Sequence, residues 1–429
     1  MAGEPLQLVR KIVSEDLPWS TLVTADYTMA NPLLSAAWGM VYPDGATGWQ
    51  PSTYVDGRPH AGVLSMTTTW RRYPSMGANA NRHRANALSK MFLCDDFLER
   101  PIVLSRSAVD QLVVDPETAI STNATCQSCH ATLDPLSANL FGFFTYNPNT
   151  AMDEVEYQPE LEEGWRAYAG KEPGYFGQPT ANLEELGQAI AEDVRFAQCA
   201  TETFWEGLTQ RTAGPEDWGE LERHTDVFVQ DGQNVRSLVR SIVVHPSYLA
   251  RRSHESTLDE RVPGIKTATP EQLVTMVEDL TGYRWEFGGR GMEHDARGLG
   301  VLSGGIDSQY VVERSHVPSV TRIFSMERLA QAAAYHVVEH DLDPMRKGDA
   351  MLLAYVTEDM APETSPALFE TQIRDLYLRV TGFHLAEDAV EPTEMIALWK
   401  AVYSVEASPR AAWSALVSVV LRDPHLLFY

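Results

Sequence analysis

The sequence predicts a mainly α, multi-helical fold with long loops. Apolar residues recur at the spacing of helices over much of the chain, whereas alternating strand patterns are few and short. Of the 429 residues, 44% are hydrophobic and 22% are charged, which is ordinary for a globular protein with packed cores. Two clear sets at helical spacing are Leu183, Leu186, Ile190 and Val194, and Val235, Leu238, Val239 and Ile242.

Further helices are predicted in the second half of the chain. Residues 319–342 are rich in alanine and flanked by polar residues, so they predict a strong helix. The same helical spacing predicts three more helices, at 368–380, 393–403 and 411–420. The best candidate for β-structure is a small hairpin that pairs residues 285–287 with 300–302.

The length of the chain predicts several domains, because 429 residues exceed a single core of usual size. Residues 147–179 are rich in proline, glycine, glutamate and tyrosine and predict a long loop. Residues 251–270 are polar and end in turn residues, which predicts a boundary. We therefore expect helical domains at 1–110, 181–255 and 265–429, with a segment that carries the long loop at 111–180.

The charge of the protein limits its partners. A net charge of −25 makes nucleic acid a poor partner, because phosphate backbones are repelled. Such a surface favours solubility or docking to a basic protein. No run of apolar residues is long enough to predict a membrane span.

The motif that carries chemistry is Cys126-Gln127-Ser128-Cys129-His130. This is the C-x-x-C-H haem attachment sequence of c-type cytochromes. Two thiols three residues apart on a helical turn can each form a thioether to the porphyrin, and the adjacent imidazole can ligate the iron. We therefore expect one covalent haem c, held by Cys126, Cys129 and His130 in a small cytochrome c-like segment.

Two other chemistries remain open for the same cysteines. A thioredoxin-like redox pair requires a strand–turn–helix setting, which the surrounding residues do not suggest. A zinc site requires further ligands, usually a second paired cluster, and no second C-x-x-C or H-x-x-x-H occurs in the sequence. Haem therefore remains the leading interpretation.

A haem also needs an apolar wall and, in most cytochromes, a second axial ligand. The residues that predict the wall surround Pro135 and are Leu133, Leu136, Leu140, Phe141, Phe143 and Phe144. His60 and Met76 are the first candidates for the second ligand, ahead of Met66 and His83, and an open or water-bound position remains an alternative.

The remaining cysteines, Cys94 and Cys199, are either a disulfide or two buried free thiols. We expect the disulfide, which would tie the region before the motif to the helices after it. We also expect a periplasmic or extracellular protein, although no apolar segment of a signal peptide follows Lys11.

Several segments together resemble a known family. In order, they are residues 4–39, HAGVLSMTTTW, NRHRANALSKMFLCDDF, CQSCHATLDPL, ELGQAIAEDVRFAQCATETFWEGLTQR and QNVRSLVRSIVVHPSYL. They resemble the Planctomycete-type cytochrome C proteins, which are large secreted proteins built from several domains of unknown function. The resemblance covers most of residues 4–250. It implies export and a c-type haem at Cys126, Cys129 and His130, but no established substrate.

A second motif predicts a different chemistry. Residues 303–308 read SGGIDS, which resembles the pyrophosphate-binding loop of the PP-loop ATP pyrophosphatases. That loop follows a buried parallel strand, whereas the residues before Ser303 predict no such strand. We therefore expect a glycine turn.

The sequence thus predicts an exported monohaem cytochrome whose most favoured role is electron transfer to a redox partner protein, either a basic protein or a component of a larger complex. One alternative is a peroxidase-like haem enzyme with an open distal position, for which His60, His83 or Arg82 would supply a polar group. Another is a structural subunit of a surface or redox assembly, in which the haem staples the fold.

Overall fold

The computed structural model describes residues 3–73, 75, 79–101, 110, 113–143, 157–168, 170–249, 266–292, 299–306, 311, 314–315, 319–346 and 348–428. The chain divides into two compact units, residues 1–249 and 250–429. The predicted boundary at 251–270 lies at this division, although residues 250–265 are outside the described part. The finer division of the first unit into three parts stays a prediction.

The first unit is mainly helical. Its α-helices are α1 Glu4–Ser14, α2 Thr21–Thr24, α3 Pro32–Trp38, α4 Thr67–Arg72, α5 Arg82–Leu93, α6 Pro116–Thr122, α7 Ala124–Ala138, α8 Trp165–Tyr168, α9 Leu183–Glu192, α10 Val194–Thr209, α11 Trp218–Gln230, α12 Val235–Val243 and α13 Pro246–Leu249. Its 3₁₀ helices are Gly62–Ser65, Phe141–Phe143, Pro159–Gly164 and Pro215–Asp217. Two antiparallel pairs, β1 Thr28–Ala30 with β2 Gln50–Ser52 and β3 Gly174–Tyr175 with β4 Gln178–Pro179, complete it.

The main core of the first unit brings together α1, α5, α7 and α9. Leu8, Trp70, Leu88, Leu136 and Leu186 are all fully buried in it. Because α7 contributes its C-terminal half to this core, the position of the helix that carries the CQSCH motif is fixed by apolar packing.

A second, smaller core lies in the same unit and joins α10, α11 and α12. Its members are Ala197, Ala200, Trp205, Phe228, Val235, Leu238 and Ile242. The packing of Trp205 and Phe228 therefore sets how these three helices face one another.

The second unit is also mainly helical. Its α-helices are α14 Pro270–Thr281, α15 Leu299–Leu302, α16 Val320–Asp341, α17 Pro366–Thr381, α18 Glu391–Glu406, α19 Pro409–Val420 and α20 Pro424–Leu427, with a 3₁₀ helix at Pro344–Arg346 and one antiparallel pair, β5 Glu286–Phe287 with β6 Arg290–Gly291. Phe369, Trp399 and Trp413 are among the largest buried side chains of its core. Among the described residues of the chain, no helix combines the length and the apolar character required to cross a bilayer.

The prediction of a mainly α protein is confirmed, and so are its strongest helices. The predicted helices at 319–342, 368–380, 393–403 and 411–420 correspond to α16, α17, α18 and α19. The Ser319 hydroxyl accepts a hydrogen bond from the Arg322 amide at 3.1 Å and so caps α16.

Two details of the helical pattern differ from the prediction. Val194 does not continue the helix that holds Leu183, because Asp193 ends α9 and caps α10 by accepting from the Arg195 amide at 2.9 Å. The segment 147–179 is not a loop throughout, since the part described from residue 157 onward contains a 3₁₀ helix, α8 and the β3–β4 pair.

The predicted hairpin is wrong in its partner strand. Glu286–Phe287 pairs with Arg290–Gly291 rather than with residues 300–302, which belong to α15. The turn between the strands is Gly288-Gly289, and both glycines have positive φ angles, of 60° and 76°. Two such residues form the tight turn that a two-residue hairpin requires.

The SGGIDS segment starts after helix α15 and not after a strand. Gly304 adopts a φ of 89°, and the Gly305 amide donates to the Gly300 carbonyl at 2.7 Å. The described part of the segment is therefore a glycine turn that ends a short helix, whereas residues 307–308 lie outside the described residues.

Candidate functional site

The CQSCH motif lies in the first turns of α7. The Asn123 side chain accepts a hydrogen bond from the Thr125 amide at 3.0 Å and caps the helix. The Gln127 side chain donates to the Ile120 carbonyl of the preceding helix. These contacts fix where the helix begins, and so place Cys126 in its first turn.

Cys126 and Cys129 are free cysteines on neighbouring turns of α7, and both are partly exposed. Residues three apart on a helix share one face, so the two thiols point to the same side. Cys129 also contacts the main core of the first unit. The pair is therefore anchored by packing on one side and accessible on the other.

His130 is held by a buried carboxylate one helical turn further on. Its Nδ1 lies 2.9 Å from Oδ1 of Asp134, and Asp134 is only 2% exposed. From α5, Arg82 Nε donates to the same Oδ1 at 2.6 Å, and its terminal nitrogen lies 3.3 Å from Oδ2. The ring is thus oriented through Nδ1, and Nε2 is the nitrogen that remains for a metal.

The charge state of Asp134 follows from these contacts. Burial alone would raise its pKa, but the hydrogen bonds from His130 and Arg82 outweigh burial and hold the pKa below its ordinary value. A carboxylate behind the ring fixes the tautomer with the proton on Nδ1 and makes the ring a more basic ligand.

Arg82 is engaged by the same carboxylate that holds His130. It contacts Asp134 on the Nδ1 side of His130, which is opposite to the nitrogen that would face an iron. The role of Arg82 as a distal polar group stays a prediction, although its contact with Asp134 does not favour it.

His60, one of the first candidates for the second axial ligand, lies between β2 and the 3₁₀ helix at Gly62–Ser65. His60 is half-buried, and burial and Arg58 lower its pKa, whereas Asp26 and Glu184 act in the opposite sense. Among the described residues, no hydrogen bond or ion pair links His60 to α7. Its assignment as an axial ligand stays a prediction.

The other candidates for that ligand are separated by their surroundings. Met76 lies outside the described residues. Met66 is fully buried in the same core that Cys129 contacts, whereas His83 is exposed on α5 with its ring 6.0 Å from that of Tyr73. Met66 is therefore part of the protein interior, whereas His83 is at the surface.

The predicted apolar wall forms part of the protein interior. Leu133, Leu136, Leu140 and Phe143 belong to the main core of the first unit, and Phe141 packs with Ala80, Ala138 and Trp165 in a smaller cluster. Phe144 lies outside the described residues. These side chains hold α7 in place, and the half of the helix that carries the motif is the more exposed half.

Cys94 and Cys199 form a disulfide, as predicted, with their Cα atoms 5.2 Å apart. Cys94 follows the last residue of α5 in a left-handed conformation, and Cys199 is buried within α10. The bond joins the helix that carries Arg82 to the helices that follow the motif. The cysteines of the motif are therefore the two that remain reduced.

A further cluster of potential ligands escaped the sequence analysis. Glu220 and His224 of α11 lie beside His245, and one ligand atom from each lies within 4.8 Å of the others. The i, i+4 spacing of Glu220 and His224 is visible in the sequence, but only the packing of α11 against α12 brings His245 to them.

The chain was compared with family models, with curated proteins and with solved structures, and nothing matches it in any of the three.

Proposed function

We propose that the protein is a monohaem c-type cytochrome, with haem attached to Cys126 and Cys129 and ligated by His130. The observation that carries the proposal is the orientation of His130 by Asp134, beside two reduced cysteines on the same helix. When bound, haem supplies a one-electron couple between ferrous and ferric iron.

The donor set fits this group. The two thiols share one helix face, as two thioethers to one porphyrin require, and His130 follows directly. The contact with Asp134 leaves Nε2 of the ring for the iron. The Cys94–Cys199 disulfide removes the other two thiols, so that the haem-attachment machinery meets one pair only.

Export to the periplasm or the cell exterior is part of the same proposal. Disulfides persist in oxidising compartments and are rare in the cytosol, so the Cys94–Cys199 bond supports it. Both c-type attachment and the disulfide would then be made in the same compartment.

Electron transfer is the role that we favour. The acidic surface, with a net charge of −25, would steer a basic redox protein toward this chain. The motif lies on the more exposed half of α7, which supports a cofactor close enough to the surface to exchange electrons with a partner.

A haem enzyme with an open distal position is the second candidate. It is favoured by the carboxylate behind His130, because a more basic proximal ligand stabilises oxidised iron. Exposure to carbon monoxide and cyanide separates the two roles. A six-coordinate iron that binds neither supports electron transfer, whereas rapid binding of both supports the enzyme.

The attachment is tested with cysteine variants produced in a host that attaches haem. Cys126→Ser and Cys129→Ser should each leave one thioether, and the double variant should lose all its haem on extraction with acidified acetone. A second pair of variants tests the iron ligand. His130→Ala should lose the axial histidine, and His425→Ala is its matched control, because Nδ1 of His425 also contacts a carboxylate, Asp423 at 2.7 Å, but no cysteine lies near it in sequence. Haem that stays covalently bound in the double variant would contradict the assignment.

A further inference from the structure

The cluster of Glu220, His224 and His245 lies in the helical region after the motif. Glu220 and His224 are one turn apart on α11, and His245 lies in the tight connection between α12 and α13. The connection is ordered, since the His245 amide donates to the Ile242 carbonyl at 3.1 Å. All three side chains thus come from fixed backbone.

The separations in this cluster match those of a metal site. Glu220 Oε1 lies 3.6 Å from Nε2 of His224 and 3.5 Å from Nδ1 of His245. Two ligands bound tetrahedrally at about 2.1 Å from one ion lie roughly 3.4 Å apart. Both separations are therefore close to that of two ligands of one ion, and all three ligand atoms lie within 4.8 Å of one another. An ion on His245 would replace the contact of its Nδ1 with Ser247 Oγ, at 2.7 Å.

His224 is the residue whose contacts point most directly to a ligand. It is 2% exposed, and its Nε2 has no hydrogen-bond partner among the described residues. Nδ1 lies 3.0 Å from Ser241 Oγ, and that hydroxyl gives its only proton to the Leu238 carbonyl. Nδ1 must therefore be the donor to Ser241, and Nε2 directs a lone pair at Glu220.

The Glu220 carboxylate accepts hydrogen bonds from two neighbouring side chains. Ser247 Oγ lies 2.6 Å and Trp205 Nε1 lies 3.0 Å from the same Oε1. The Glu220 carboxylate and the unprotonated Nε2 of His224 face each other. A cation bound between them would interact favourably with both groups.

We propose that Glu220, His224 and His245 bind a divalent transition metal ion of the zinc type, independently of any haem. Two imidazoles and one carboxylate are the ligands of open zinc sites, in which the fourth position is left for water or a substrate. Glu220 and His245 are partly exposed, so the open position faces the surface.

Arg223 competes with the ion for His245. Its terminal nitrogen lies 2.9 Å from Nε2 of His245, and this contact requires the proton of the ring to be on Nδ1. Metal ligation at Nδ1 moves that proton to Nε2, after which the Arg223 side chain must turn away. Arg223 is exposed, so it can do so freely.

The test measures the binding of Zn²⁺ to the full chain. The protein is purified as produced, treated with a chelator to remove bound metal, and titrated with Zn²⁺ in competition with a chromophoric zinc indicator. One ion should bind per chain. Glu220→Gln and His245→Ala should each weaken binding at least about 100-fold, because the loss of an outer partner alone weakens it about 10–100-fold. Arg223→Ala, which alters an exposed side chain, should tighten binding.

Two controls make the outcome decisive. Cys126→Ser/Cys129→Ser should bind Zn²⁺ as the parent does, and X-ray absorption should show nitrogen and oxygen ligands at about 2.0–2.1 Å without sulfur at about 2.3 Å. Sulfur ligation, or equal binding by the parent and both ligand variants, would overturn the proposal. A failure of Arg223→Ala to tighten binding would overturn the competition. The measurements are made on the haem-loaded parent and on Cys126→Ser/Cys129→Ser, because neither protein has motif thiols free to bind Zn²⁺.

Discussion

Replacement of Asp134 by asparagine changes the charge behind His130 with little change in shape. Both His130 Nδ1 and Arg82 Nε contact Oδ1, so the amide oxygen of the substituted side chain can accept from both. The new amide nitrogen would replace Oδ2, whose contact with Arg82 is the longer one, at 3.3 Å. The variant therefore removes a charge and keeps the main hydrogen bonds.

The expected result is a higher reduction potential, because the carboxylate stabilises ferric iron more than ferrous iron. A hydrogen bond to a charged group contributes about 1.5–3 kcal/mol and a neutral one about 1 kcal/mol, which leaves a difference of roughly 0.5–2 kcal/mol. For one electron, 1.4 kcal/mol corresponds to about 59 mV. We therefore predict a rise of several tens of millivolts, with about 80 mV as the upper bound.

The assay is a spectroelectrochemical titration of the haem-loaded protein and of Asp134→Asn. Asp193→Asn is the matched control, because Asp193 is also a carboxylate paired with an arginine, Arg195 at 2.6 Å, but it does not contact His130. The control should leave the potential unchanged. An unchanged or lower potential in Asp134→Asn, with haem content and spectrum intact, would refute the role given to the carboxylate.

Three further predictions concern stability. Replacing Cys94 and Cys199 together by alanine should lower the free energy of unfolding by about 2–4 kcal/mol, because the bond closes a loop with a sequence separation of 105; urea unfolding that matches the parent would contradict this. Gly187→Ala should destabilise the protein by about 1–3 kcal/mol, since a Cβ there would lie 2.1 Å from a backbone oxygen. Gly207→Ala should stabilise it by about 0.5–1 kcal/mol, because a Cβ at this position of α10 would meet open space. A lower melting temperature for Gly207→Ala than for Gly187→Ala would contradict both predictions. The pKa of Asp193 is lowered from 3.8 to about 2, because its hydrogen bonds to Arg195 and Tyr175 outweigh burial. Its stabilisation is therefore present above pH 4 and lost as the pH falls toward 2, so Asp193→Asn should be less stable than the parent at pH 7 and equal to it near pH 2 in urea titrations.

The helical class, the main helices and the disulfide could be predicted because they depend on local pattern and on few cysteines. Once Cys126 and Cys129 are set aside, Cys94 and Cys199 are the only two left to pair. The predicted partner strand of the hairpin was wrong, although the sequence contained the signal for the correct one. Gly288-Gly289 is typical of a two-residue turn, and such a turn joins the strands directly before and after it.

The surroundings of the candidate site could be predicted only in part. Asp134 follows His130 by four residues, so the sequence contains the signal for their contact. Arg82 is 52 residues from Asp134, and no local pattern links them. For the same reason His245 could not be assigned to Glu220, because the contact depends on how α11, α12 and the connection after α12 pack together.

The most direct test of the central claim is a pyridine haemochrome spectrum of the purified protein, produced in a host that attaches haem and then extracted with acidified acetone. The account predicts a c-type spectrum that stays with the protein, at about one haem per chain. Protein without covalent haem under these conditions would contradict the account and return Cys126 and Cys129 to zinc binding or thiol redox chemistry.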